Sequence, residues 1–87
     1  MYILIVYDVE VKRVTKVHKF LKKYLHWVQN SVFEGELTVA QIEELESGLD
    51  KIIDKDTDSI LTFTAREARW LEKKVLGKER GVTSNFI

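Results

Sequence analysis

Apolar and polar positions divide the chain into stretches of two different periods. Tyr2-Ile3-Leu4-Ile5-Val6-Tyr7 is an unbroken β-branched and aromatic run, too short for a buried helix. It predicts a strand that is central in its sheet, covered on at least one face, and ended at Asp8. From Val11 to Leu25 the period changes: Val14, Val17, Leu21 and Tyr24 recur at three and four, with the bases between or opposite them, the pattern of an amphipathic helix. His26 to Leu37 is rich in strand formers (Trp27, Val28, Val32, Phe33) and is interrupted at Asn30-Ser31 and at Gly35, so it reads as one bent strand or two short ones.

Thr38 and Gln41 have the spacing of a capping box, and Leu37 and Ile42 that of a hydrophobic staple, so a second helix starts here. Its apolar stripe is Ile42, Leu45, Leu49, Ile52 and Ile53, and its outer face carries Glu43, Glu44, Glu46 and Asp50. Ser59 to Thr64 alternates Ile60 and Thr62 against Leu61 and Phe63, as a half-buried strand does. Residues 65–76 suit either a helix or a strand, and are read as an irregular turn followed by a strand from about Leu71 to Leu76, stopped by Gly77. The apolar-tipped end Ser84-Asn85-Phe86-Ile87 needs a sheet edge to pair with, which in a dimer belongs to the other subunit. This order predicts an α+β fold, a ferredoxin-like βαββαβ sandwich with two helices on one face of an antiparallel sheet and an extra C-terminal strand.

At 87 residues the chain makes one domain, 1–87, with 78–87 as its C-terminal tail. A core this thin makes a homodimer the expected source of further burial. The absence of cysteine excludes disulfides, zinc–thiolate sites, iron–sulfur clusters and a thiol nucleophile, and fits the cytoplasm. The apolar start has no basic region before it and reaches an acid at Asp8, too soon for a signal peptide or a membrane span, so no membrane partner is expected. Net charge is zero, which argues against coating nucleic acid by bulk charge. The distribution changes that picture. Residues 1–35 carry six bases and three acids, residues 36–59 two bases and eight acids, and residues 60–87 six bases and three acids. Two basic segments therefore flank an acidic middle, and one face can meet phosphates while another repels them.

Asp8 is the candidate chemical group: an acid after six apolar positions, at the carboxyl end of a buried strand that can aim it into a cleft. Its plainer reading is a cap on the loop or helix that follows. The two histidines, His18 and His26, have no carboxylate at ligand spacing, and no Gly-rich phosphate loop, nucleophile elbow, HExxH pair or aromatic RNA-recognition motif occurs. The lysines of the first helix have either a solvated-face or a phosphate-contacting reading, and the lack of alternating acids favours the second.

Tyr7-Asp8 closing the first strand, Gln29-Asn30-Ser31-Val32-Phe33-Glu34-Gly35 leading into a capped helix, Asp58-Ser59-Ile60, and Leu76-Gly77-Lys78 before Ser84-Asn85 together resemble a known family. It is the small CRISPR-associated protein of the spacer-acquisition module, the second CRISPR-associated protein. The likeness covers essentially the whole chain. It implies a tight homodimer whose C-terminal strand crosses to the partner's sheet and whose two strand-end aspartates face each other across the two-fold axis. It further implies a metal-dependent endonuclease, a phosphodiester hydrolase acting on single-stranded RNA or double-stranded DNA. The same family serves as a DNA-binding scaffold that works with an integrase subunit in antiviral defence.

Carried onto this chain, the resemblance makes Asp8 the ligand of a Mg2+ ion shared by two subunits, activating water and offsetting charge on the scissile phosphate. Tyr7 would orient Asp8 or stack on a nucleotide, Ser31 and Phe33 would shape the cleft floor and the dimer seam, and Arg13 and Lys16 would neutralise phosphate. Trp27 stands where some members carry a basic residue, and Arg13 matches its position only approximately. The alternatives are a non-catalytic DNA-binding dimer that only scaffolds the integrase, and a related toxin-like ribonuclease.

Overall fold

The structure, a computed structural model, describes residues 1–70 and 72–81. Strand β1 (Tyr2–Asp8) leads into helix α1 (Val11–Lys22), followed by β2 (His26–Gln29), β3 (Val32–Glu36), α2 (Val39–Ile52), β4 (Ser59–Ala65) and a single 3-10 turn at Ala68–Trp70. The four strands form one antiparallel sheet in the order β2-β3-β1-β4, the ferredoxin-like arrangement that the alternating periods predict. The segment 26–37 resolves into two short strands, because Asn30 takes a left-handed conformation (φ 44°) that turns the chain, one that asparagine tolerates better than most residues.

Both helices cover one face of the sheet. Along β1 the side chains alternate, so Ile3, Ile5 and Tyr7 are buried beneath the helices while Tyr2, Leu4, Val6 and Asp8 point to the other face. Val17 and Leu21 from α1, and Ile42, Leu45 and Leu49 from α2, close the core around Phe33. Ile52 and Ile53 are only half-buried at its rim, and Val14 is exposed. Helix α1 stops at Lys22 rather than Leu25, where the N–H groups of Lys23, Tyr24 and Leu25 fold back onto the Phe20 and Leu21 carbonyls.

The box at the start of α2 forms as read: the Gln41 N–H donates to the Thr38 hydroxyl (3.1 Å), and the Thr38 N–H donates to the Gln41 side chain (2.9 Å). Gly48, in the middle of α2, has a packing reason. A Cβ there would lie 2.2 Å from the Phe20 ring, so the two helices approach through a position that carries no side chain.

Of the strand expected from about Leu71 to Leu76, the described residues, 72–76, are not in a strand. Glu72 to Val75 have no regular structure and run over the open face of the sheet, beside Leu4, Val28 and Val32. β1 and β3 beneath them are paired on both sides and β2 is free only at its outer edge, so a segment lying over the face rather than along that edge finds no free backbone groups for a ladder. Lys73 holds the segment there by donating to Glu34 Oε2 at 2.6 Å. The tail expected to pair with a sheet edge, residues 84–87, lies outside the described residues. Among the described residues, no helix is long and apolar enough to cross a membrane.

Candidate functional site

Asp8 occupies the last position of a central strand. On one side it is registered against Ser59 of β4, in a ladder that runs from Tyr2↔Ala65 to Asp8↔Ser59. On the other, the Tyr7 N–H donates to the Ser31 carbonyl oxygen (3.1 Å), which ties the end of β1 to the start of β3. Two residues further on, the Glu10 N–H donates to Asp58 Oδ1 (3.0 Å). The backbone is thus pinned before and after Asp8, while its carboxylate is exposed and takes no hydrogen bond or ion pair among the described residues. A rigid platform carrying an unspent oxygen ligand is what a metal or a phosphate-directed reaction requires.

The alternation of the strand separates the other residues expected at the site. Tyr7 and Asp8 are neighbours in sequence and therefore point to opposite faces. The Tyr7 ring is 5% exposed and stacks on Phe33 at 6.3 Å, inside the core, and burial pushes its phenol pKa upward. Stacking of Tyr7 on a nucleotide is corrected accordingly: its part is to anchor the strand from which Asp8 projects. Phe33, expected at the cleft floor and dimer seam, is fully buried under the helices, on the face opposite Asp8. Ser31 is half-buried and acts through its backbone carbonyl.

Arg13 is also reassigned. Its Nε donates to Asp58 Oδ2 (2.6 Å) and its Nη2 to Asp58 Oδ1 (3.1 Å), with further bonds to Glu10 Oε1 (2.8 Å) and the Thr57 hydroxyl (3.1 Å). Its Nε and Nη2 are thus engaged within the chain, and the part the structure gives Arg13 is to close this corner rather than to meet a phosphate through that fork. Asp58, with a fully buried side chain, also accepts the N–H of Asp54 (2.9 Å) and so ties the start of α1 to the loop before β4. The Arg13 guanidinium holds the Asp58 carboxyl well below the usual carboxylate range, against the opposing effect of burial and with help from the two N–H groups. The sequence reading missed Asp58 as the organiser of this corner. A signal was present, because Arg13 is the one arginine among the lysines of α1, and arginine is the base suited to a two-pronged carboxylate.

Lys16 is exposed on α1 together with Lys12, Lys19 and Lys22, with Lys23 just past its end, and none of the five forms an ion pair among the described residues. The face of the sheet that carries Asp8 is apolar and uncovered at β4, with Leu61 and Phe63 about half exposed beside Val6 and Leu4. At its other end the Tyr2 hydroxyl donates to Glu34, which also receives Lys73. Burial first, and then the Glu34 carboxylate, push the Tyr2 phenol far up.

Among the described residues, no group of three or more His, Asp or Glu side chains comes together to hold a metal ion. Asp8, the ligand that the resemblance implies, is therefore part of no such group. A single carboxylate oxygen suits a hard, mostly hydrated cation such as magnesium, completed by a second carboxylate from another copy, and does not suit a closed zinc-type site.

The chain matches the family described as "CRISPR associated protein Cas2" over residues 1–73. It is 46% identical to the CRISPR-associated endoribonuclease Cas2 of Thermococcus kodakarensis and 48% identical to that of Pyrococcus furiosus, over the full length of both partners in each case. Among solved structures, a Cas2 crystal structure superposes with a TM-score of 0.84 at 49% identity, covering 92% of this chain and 90% of the other. Streptococcus pyogenes Cas2 superposes with a TM-score of 0.73 at 35% identity, covering 86% and 100% respectively.

Proposed function

Because this chain belongs to the CRISPR-associated Cas2 family, we propose that it is a metal-dependent endonuclease of CRISPR adaptation that works as a homodimer, with one Asp8 from each protomer at the site. The observation that carries this reading is the unspent Asp8 carboxylate on a strand pinned at Tyr7 and Glu10. Asp8 shares its face with Leu4, Val6, Leu61 and Phe63, so a second copy packed on that apolar face brings two such carboxylates toward one seam. The two Asp8 carboxylates would hold a Mg2+ ion, which would supply an activated water and positive charge to phosphodiester hydrolysis. The chain itself contributes orientation. The Tyr7–Phe33 stack and the Asp58 corner keep the end of β1 from moving, and the lysines of α1 attract the polyanion.

The test is cleavage of labelled single-stranded RNA and duplex DNA, with magnesium and with chelator, by the wild type and by Asp8→Asn. Cleavage is expected to fall about 100-fold or more in the variant, with an unchanged melting temperature because the carboxylate has no partner to lose. An Asp8→Asn protein that cleaves at the wild-type rate defeats the assignment.

The unpaired lysines of α1 favour a second reading, a DNA-binding scaffold for an integrase subunit, which is compatible with the first. Duplex binding should then weaken with salt by about one unit of log-log slope for each phosphate neutralised, and a flat response counts against it.

A further inference from the structure

A cleft lies away from Asp8, where the β2–β3 turn meets the C-terminal segment. It has a volume of about 510 Å³ and is lined by Trp27, Gln29, Asn30, Gly77, Lys78 and Arg80, with Leu76 at its margin. No acid lines it. Lys78 and Arg80 are exposed and have no ion-pair partner among the described residues, whereas Glu79 between them turns to Lys73 (3.5 Å).

Two glycines shape this cleft, for different reasons. Gly77 adopts φ +99°, which directs the chain back toward the hairpin. At Gly81 an added Cβ would fall 2.3 Å from the Trp27 carbonyl oxygen, so the segment passes close along the outer edge of β2 only where it has no side chain. Trp27 is a fixed wall: its indole N–H donates to the Asn30 carbonyl (3.0 Å), and His18 meets its ring edge-on at 6.2 Å.

An aromatic wall, two side-chain amides and two exposed cations are the elements by which proteins take up an unstacked nucleotide, with the cations on phosphate, the ring on the base face and the amides on its edge. A duplex offers phosphates but keeps its bases stacked, and would leave Trp27, Gln29 and Asn30 unused. We propose that this cleft binds one nucleotide of a single-stranded polynucleotide, with its phosphate against Lys78 and Arg80 and its base against Trp27, Gln29 and Asn30. This rests on the nucleic-acid reading given above and adds to it a second subsite on each chain, separate from Asp8.

The test uses the full chain carrying Trp70→Phe, which removes the other tryptophan and leaves Trp27 as the only indole. Oligouridine and oligodeoxythymidine of twelve nucleotides, and a duplex of the same length, are titrated in chelator while indole fluorescence and anisotropy are recorded. Saturable quenching by a single strand is expected, and Lys78→Ala with Arg80→Ala should raise its Kd about tenfold and lower the salt slope by about two. Quenching by either single strand more tightly than by the duplex would support the cleft, since base and phosphate are common to RNA and DNA. Unchanged affinity in the double variant, absence of quenching, or tighter quenching by the duplex would overturn it. Asp8→Asn in the same titration keeps the two proposals apart: unchanged curves place this cleft apart from the cleavage site, and lost quenching would overturn a separate subsite.

Discussion

Arg13 illustrates how one side chain's role is decided by a partner that lies far away in sequence. Its fork closes on Asp58, 45 residues on, and that carboxylate also receives the N–H groups of Glu10 and Asp54. Removing it leaves a guanidinium and two backbone donors without their acceptor. Asp58→Ala is therefore expected to lower the melting temperature by about 5 °C or more, measured by circular dichroism, whereas Lys16→Ala should leave it unchanged. The pH dependence follows from the sign of the shift. The Asp58 carboxyl is lowered from its ordinary 3.8, so its stabilisation is complete above that value and is lost as pH falls through the lower folded one. In acid titrations followed by far-ultraviolet dichroism, Asp58→Asn should show a flatter fall in stability below about pH 4 than the wild type. His18 acts at higher pH: burial, with Lys22 nearby, depresses its pKa below 6.5, so the fold favours neutral imidazole and loses stability as pH drops below that value.

The packing of α1 on α2 explains a feature that helix propensity alone reads as a defect. Gly48 weakens α2 by about 1 kcal/mol relative to alanine, yet the Phe20 ring occupies the volume its side chain would need. Gly48→Ala is expected to destabilise the protein by about 1–3 kcal/mol in urea denaturation despite the better propensity. In the Phe20→Leu background the same substitution should cost less, because the ring that it strikes is gone. The capping box and the stripe Ile42, Leu45 and Leu49 were legible in the sequence because they are local. The segment after β4 was not, since its alternation fits a strand while residues 72–76 lie over the open face of the sheet and join no ladder.

Across the whole molecule, helices cover one face of the sheet and leave the other open, with Leu61 and Phe63 about half exposed and the segment 72–76 lying over β1, β2 and β3. A chain this small gains most from covering that face with a second copy. Phe63→Glu is expected to shift a dimer to monomer in sedimentation equilibrium at micromolar concentration, with the far-ultraviolet spectrum retained. A variant that sediments as the wild type does would show that the open face is not the seam. The segregated charge has its consequence at this scale as well, since α1 presents lysines and α2 presents Glu43, Glu44 and Glu46 from the same helical layer, giving a neutral molecule with a directional field.

The sequence by itself determined the two periods, the βαββαβ order, the cap of α2, the family resemblance and the place of Asp8 at the end of a central strand, because each depends on neighbours within a few residues or on a motif read directly. Tertiary structure decided which face each strand residue serves. It placed Tyr7 and Phe33 in the core and Asp8 outside, closed Arg13 on Asp58, made Gly48 a contact for Phe20, and brought Lys78 and Arg80 to Trp27. Those outcomes rest on contacts between elements distant along the chain. A strand's alternation says that neighbouring side chains part company, and only the helices packed on one side say which of them is left facing solvent.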